Sequence, residues 1–172
     1  MIEILILYTI RKHEKTIYSI RKEIFEIFGA YTKPSIGTIH PALKRLLKLN
    51  AVALTERYTD GGKKSSYYSI TKDGLDCFKK LFFSSVSDNP SLFYNQLQIR
   101  FALMGLLNFD DRQKFITEAN RQVDLYKYEI EKKLKDEFLE LDYYQSQIMK
   151  KTLNDLNSLT EFMKHLKVEN DG

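Results

Sequence analysis

Two short stretches hold the residues best suited to contact chemistry. The first, SIGTIHPALKRL (Ser35 to Leu46), sets Ser35, Gly37, Thr38, His40, Pro41 and Lys44 within three turns of helix-like sequence. The second, GGKKSSYY (Gly61 to Tyr68), puts Lys63 and Lys64 between two glycines and a run of Ser65, Ser66, Tyr67 and Tyr68. Hydroxyls, ammonium groups, an imidazole and backbone left bare by glycine are mostly hydrogen-bond donors, and such a set suits a polyanion rich in acceptors. Phosphates are met by these groups without regard to sequence, while base edges are read by side chains on a helix. Ser35, Gly37, Thr38, His40, Pro41, Lys44, Lys63, Lys64, Ser65 and Tyr67 are therefore the candidate DNA-binding residues.

Catalysis finds no comparable set. His13, His40 and His165 are scattered, and the lone cysteine, Cys77, excludes an internal disulfide and a cysteine-based zinc site within one chain. No nucleophile elbow, phosphate loop or dinucleotide fingerprint occurs. Asp110 and Asp111 are paired carboxylates, but they stand where a helix start favours acids through its macrodipole. The sequence predicts neither an enzyme nor a cofactor or metal site.

The elements that must position the donors follow from hydrophobic period. Ile2, Leu5, Ile6 and Ile10 recur at helical spacing in a first segment running to about Glu14. Thr16 then offers an N-cap to a helix carrying Ile17, Ile20, Ile24 and Ile27, which Gly29 stops. Ser35 caps a third helix in which Ile39, Leu43, Leu46 and Leu47 share one face, while Gly37, Pro41, Lys44 and Lys48 centre the other and His40 and Arg45 flank it. Gly37 lets backbone approach a partner closely. Pro41 removes an amide and crowds the carbonyl of Gly37, which predicts a loosened first turn with the Ser35 and Thr38 hydroxyls directed outward.

From Ala51 the period changes to two. Val52 and Leu54, then Tyr68 and Ile70, alternate on either side of a break at Asp60-Gly61-Gly62, which predicts a β-hairpin with a cationic tip. Thr71 caps a fourth helix with Leu75, Phe78, Leu81 and Phe82 inward. The order helix, helix, helix, strand, strand, helix is that of a winged helix-turn-helix, whose third helix enters the major groove while the hairpin lies along the backbone. Ser84 to Pro90 is small, polar and closed by a proline, and marks the expected boundary between domains at 1–85 and 91–172.

Charge divides in the same place. Residues 1–80 carry 15 Lys and Arg against 8 Asp and Glu, a net of +7, whereas residues 81–172 carry 12 against 15, a net of −3. One half is fitted to a polyanion and the other is not. The apolar start MIEILILYTI is too short to span a membrane and no basic run precedes it, so a cytoplasmic protein without membrane contact is expected.

In the second half, Leu92 to Leu107 is apolar enough to be mostly buried. Phe115, Ala119, Val123, Tyr126, Ile130, Leu134, Phe138 and Leu141 predict one helix of about thirty residues, and Met149, Leu153, Leu156, Leu159, Met163 and Leu166 predict a last one. Stripes of this length need a partner surface, supplied partly by each other and partly by a second copy of the chain. Val123, Tyr126, Ile130, Leu134, Leu153, Leu156, Leu159 and Met163 are the candidate dimerisation residues. The fold class is mainly α with a small β-hairpin: an N-terminal winged helix-turn-helix followed by an α-helical C-terminal dimerisation domain.

The two donor-rich motifs resemble those of the PadR family of bacterial transcriptional regulators. That family's Ser-x-Gly-Thr-Ile-Tyr-Pro-Ala-Leu-Lys-Arg-Leu helix is matched from Ser35 to Leu46, and its Gly-Gly, basic, Tyr-Tyr, Leu-Thr-x-x-Gly wing is matched from Gly61 to Gly74. His40 replaces the family's tyrosine, which brings a titratable group to that position and with it a mild pH dependence near neutrality. Ile70 replaces a leucine, and Ile17 stands where the family has glycine before Tyr18. The resemblance implies a homodimer on operator DNA, a larger subfamily with an all-helical C-terminal domain, and a repressor of stress, detoxification or efflux genes. It also implies release by a small hydrophobic or aromatic effector, with which eleven Tyr and eleven Phe are compatible, although aromatic residues at helical spacing more often form core. A winged-helix module that binds protein and not DNA is the alternative, and it would lack a steep salt dependence on duplex.

Overall fold

Caps and breaks in the sequence set most of the element boundaries. The computed structural model describes residues 1–58, 62, 64–84 and 90–166. In chain order the elements are α1 (Ile2–Thr9), α2 (Ile17–Phe28), α3 (Ile36–Lys48), β1 (Val52–Tyr58), β2 (Lys64–Ile70), α4 (Lys72–Phe82), α5 (Pro90–Leu103), a 3-10 turn (Met104–Leu106), α6 (Phe109–Lys135) and α7 (Tyr143–His165). Thr16, Ser35 and Thr71 each accept the N–H three residues on, from Ser19, Thr38 and Gly74, so all three predicted N-caps form. Each such cap satisfies one otherwise orphaned amide and contributes about 1 kcal/mol.

The chain is mainly helical with one antiparallel hairpin, in the order of a winged helix-turn-helix. It divides into compact units at Met1–Leu106 and Leu107–Gly172. The first unit is built around α1, which packs on α2, α3 and α4 and buries Ile4, Leu5, Ile6 and Leu7 in succession. Ile20, Ile24 and Phe28 of α2, Ile39, Leu43 and Leu46 of α3, and Phe78 and Phe82 of α4 complete the core.

Helix α1 is shorter than its apolar period predicts. It ends at Thr9, whose buried hydroxyl turns back onto the Ile6 carbonyl at 2.8 Å, and Arg11 folds over the Tyr8 ring at 3.7 Å. The chain then extends, and Lys15 exchanges two backbone hydrogen bonds with Tyr68, at 2.9 and 2.8 Å. Pairing to the hairpin replaces the helical turn that local spacing would continue. The root of the hairpin is thereby tied to the segment between α1 and α2.

In the hairpin, Val52 pairs with Ile70, Thr55 with Tyr67 and Tyr58 with Lys64. Gly62 has φ +73°, a left-handed conformation that glycine adopts without strain. Gly74 in α4 is fixed by packing instead, since a Cβ there would collide with the Ala51 carbonyl oxygen. Leu75, expected inward, is exposed, because that close approach of Gly74 rotates the next residue out of the core.

Within the first unit, α5 is held by Arg100. This residue is 3% exposed and donates to the Phe82 carbonyl at 2.9 Å and the Ser84 carbonyl at 3.1 Å, at the C-terminal end of α4. A cation there complements the helix dipole and takes up carbonyls that have no intrahelical donor. The compact unit accordingly runs on through α5 to Leu106, past the polar Ser84–Pro90 stretch expected to mark the domain boundary.

The second unit is a hairpin of α6 and α7, with Phe115, Ala119, Val123, Leu156, Leu159 and Met163 buried. Asn108 and Asp142 cap its helices, the latter in a reciprocal box with Gln145. The single helix expected from Phe115 to Leu141 stops at Lys135. Asp136 accepts the Phe138 N–H through its side chain at 3.0 Å, a local turn that competes with the next helical bond, and Phe138 is left fully exposed.

Candidate nucleic-acid interface

The outward face of α3 is organised from its cap. Ser35 Oγ accepts the Thr38 N–H at 3.2 Å and also lies 3.0 Å from Thr38 Oγ1, while the Ile39 N–H reaches the Ser35 carbonyl at 3.0 Å. The predicted loosening of this turn does not occur. α3 is continuous through Gly37 and Pro41, and the two hydroxyls bond each other as part of the cap. One missing amide at Pro41 costs the Gly37 carbonyl its normal donor, yet the cap and the buried face of α3 hold the helix together.

Ser35, Gly37, Thr38, His40, Pro41 and Lys44 are all exposed, as is Lys48 one turn beyond Lys44. At 100° per residue, positions 37, 40, 41, 44 and 48 share one face, opposite the buried Ile39, Ala42, Leu43 and Leu46. Gly37 and Pro41 are both poor helix residues, and glycine is not demanded at 37 by the chain's own packing. A Cβ at Gly37 would meet only Ser35 Oγ, at 3.5 Å, an ordinary contact. Alanine there would improve the helix by about 0.5–1 kcal/mol.

The cations of this region fall into two kinds. Lys44 and Lys48 have no ion-pair partner among the described residues. Arg45, on the flank, is turned away to Glu3 of α1, its Nε donating to Oε1 at 2.9 Å. Burial pushes the Glu3 carboxyl up, but the Arg45 hydrogen bond, the backbone, the N-terminal ammonium and the Arg45 charge outweigh it and hold Glu3 below the ordinary carboxylate value.

On the hairpin, Lys64 Nζ lies 2.7 Å from Glu56 Oε2 on the paired strand. Arg57 pairs with Glu14 and sits 5.3 Å from the Tyr67 ring centroid. Lys64 is exposed, while Ser65 and Tyr67 are half-buried against the strand. Lys63 lies outside the described residues. Sequence reasoning passed over Arg57 and Tyr58. Tyr58, directly across from Lys64, is 72% exposed, so phenol and ammonium stand together at the outer end of the ladder. The hairpin register, counted outward from the Gly61-Gly62 break, was the signal that could have found them.

In the second unit, Val123, Leu156, Leu159 and Met163 are buried in the single chain already, whereas Tyr126, Ile130, Leu134 and Leu153 are half-buried. Leu125, Tyr128, Tyr144 and Ile148 are exposed apolar residues of the same two helices. Among the described residues no cluster of His, Cys, Asp or Glu could hold a metal ion, and no helix is long and apolar enough to cross a membrane.

Comparison with known proteins finds one family profile and several solved structures to which the chain is similar. Residues 6–80 match the sequence profile of the Transcriptional regulator PadR-like family. No curated protein matches the chain significantly. Among solved structures, Bacillus subtilis PadR in complex with operator DNA is 16% identical, with 94% of each chain covered and a TM-score of 0.44. A Streptococcus mutans protein is 23% identical over 94% of this chain and 95% of its own, with a TM-score of 0.43. A PadR-like transcription factor of Bacteroides fragilis is 23% identical over 47% of this chain and 76% of its own, with a TM-score of 0.42.

Proposed function

We propose that the chain, whose residues 6–80 match the PadR-like family of transcriptional regulators, binds operator DNA sequence-specifically as a homodimer and represses transcription. α3 lies in the major groove, with Ser35, Gly37, Thr38, His40, Pro41 and Lys44 nearest the duplex. Lys63, Lys64, Ser65 and Tyr67 meet the adjacent backbone, and Arg57 and Tyr58 join them. Two copies address half-sites about one helical turn apart.

The observation that carries this reading is the pair Gly37 and Pro41. Both weaken α3 on an exposed face, and the space around Gly37 would accept a side chain. A demand from outside the chain explains them: a surface that must come close enough to exclude a side chain at 37. The unpaired Lys44 and Lys48 on the same face make that surface an anion. DNA supplies both the charge and the groove.

In the second unit we assign the half-buried Tyr126, Ile130, Leu134 and Leu153 to contact with a second copy. Val123, Leu156, Leu159 and Met163 then support that contact from within. Stress, detoxification or efflux genes as targets and release by a small hydrophobic or aromatic effector rest on the family resemblance alone, and a cytoplasmic location is proposed with them.

The test is selection of duplexes from a random pool by the full chain, followed by titration at low and high salt. A preferred sequence, with affinity falling steeply as salt rises, is the expected result. The alternative, a winged-helix module for protein, is favoured by one observation: Lys64 and Arg57 are already paired to Glu56 and Glu14. It predicts neither enrichment nor a steep salt slope.

A further inference from the structure

We infer that His40 is a proton-linked contact: duplex DNA seated on α3 draws a proton onto the imidazole, so that affinity falls as pH rises from about 6 to 8. This rests on the DNA-binding reading above and deepens it. His40 is exposed on the face shared by Gly37, Pro41 and Lys44. The residue three back is a glycine, so no side chain at 37 stands between the imidazole and an approaching strand.

No hydrogen bond or ion pair engages His40 among the described residues. On its own helix, Lys44 lies one turn on and Lys48 two, while Arg45 is bound to Glu3. The elements packed most extensively against α3 are α1, α2 and β1. The one carboxylate of α1, Glu3, is taken by Arg45 and the N-terminal ammonium. Those of α2, Glu23 and Glu26, pair with Lys15 and Lys22, and that of β1, Glu56, pairs with Lys64. Arg21 of α2, Arg57 of β1 and the phenols of Tyr8, Tyr18 and Tyr58 complete the titratable set on these elements. Each acid of these three elements thus has its own cation, and none of them is left for His40.

A phosphate brought to this face changes the balance. An anion within contact distance favours the charged imidazole. If the complex holds a proton that the free protein does not, binding takes up that proton. Affinity is then full below the imidazole's value in the free protein and is lost as pH rises through its value in the complex.

The experiment uses the full chain and a mixed-sequence fluorescent duplex, with anisotropy read at constant ionic strength across that pH window. Affinity of the unmodified protein should fall by up to about tenfold per half-site, the effect of a one-unit difference between free and bound states. His40→Gln should be flat across the window, and His40→Arg flat and tight. His13→Gln and His165→Gln should keep the original slope. Calorimetry in two buffers of different ionisation enthalpy should show proton uptake that His40→Gln abolishes. Tight binding with no pH dependence, or a slope that survives in His40→Gln, overturns the inference and leaves DNA binding standing. Absence of duplex binding at every pH overturns both.

Discussion

Lys64 Nζ lies 2.7 Å from Glu56 Oε2, diagonally across the hairpin, so an ammonium proposed to meet a phosphate has a carboxylate beside it in the free protein. Both side chains are half exposed, and such a pair contributes at most ~1 kcal/mol to folding. Glu56→Gln should therefore leave the melting temperature nearly unchanged and tighten DNA binding about two- to fivefold per half-site. Lys64→Ala should weaken binding similarly on all sequences and lower the salt slope by roughly one unit per half-site. Titrations at several salt concentrations check both, and an unchanged slope in Lys64→Ala would remove the hairpin from the interface.

Gly37→Ala should move stability and binding in opposite directions. A Cβ meets nothing closer than Ser35 Oγ at 3.5 Å, so the fold should gain about 0.5–1 kcal/mol. The same methyl group obstructs close approach to a duplex, and affinity should fall by at least about tenfold, with Gly37→Leu worse. Urea midpoints and binding constants on the same preparations separate the two effects.

Gly74→Ala should fail differently. Its Cβ would strike the backbone of Ala51 and the Ile70 side chain, and backbone cannot swing aside. A loss of about 3 kcal/mol is expected, at the upper end of overpacking costs. Chemical denaturation measures it directly.

Acid should release the tie between α1 and α3. Glu3 titrates below the ordinary 4.5 of a carboxyl. The stability that its contacts confer is thus fully present above that value and is lost as pH falls through the lower folded value. Glu3→Gln should be less stable than the parent at neutral pH, and the gap should close below about pH 4. Denaturation midpoints at a series of pH values test the closure.

In the second unit, burial separates two kinds of substitution. Val123 is buried in the single chain, so Val123→Asp should unfold the α6–α7 hairpin, with loss of helical signal. Leu134 is half-buried, and Leu134→Glu should keep the helices and reduce the particle mass measured by sedimentation.

Much of this was legible in sequence because it is local. N-caps at Thr16, Ser35 and Thr71, the switch from helical to alternating period at Ala51, and the polar face of α3 each need only a few neighbouring residues. What escaped depends on partners distant in the chain. α1 stops early because Lys15 is claimed by Tyr68, and no local period encodes that pairing. α5 packs with the first unit because Arg100 finds the end of α4. Leu75 turns outward because Gly74 must touch Ala51. In the interface, residue types named the donors, but only the hairpin register put Tyr58 across from Lys64 and set Glu56 beside it.

The anchor made by Arg100 has an asymmetry of inheritance. Its main acceptors at Phe82 and Ser84 are main-chain oxygens, which every amino acid brings. Ser84 can drift to another residue without releasing the clasp, whereas a single codon change at position 100 undoes it. Position 84 can therefore vary on one side of the junction, while Phe82 is held by the core and Arg100 by the clasp itself.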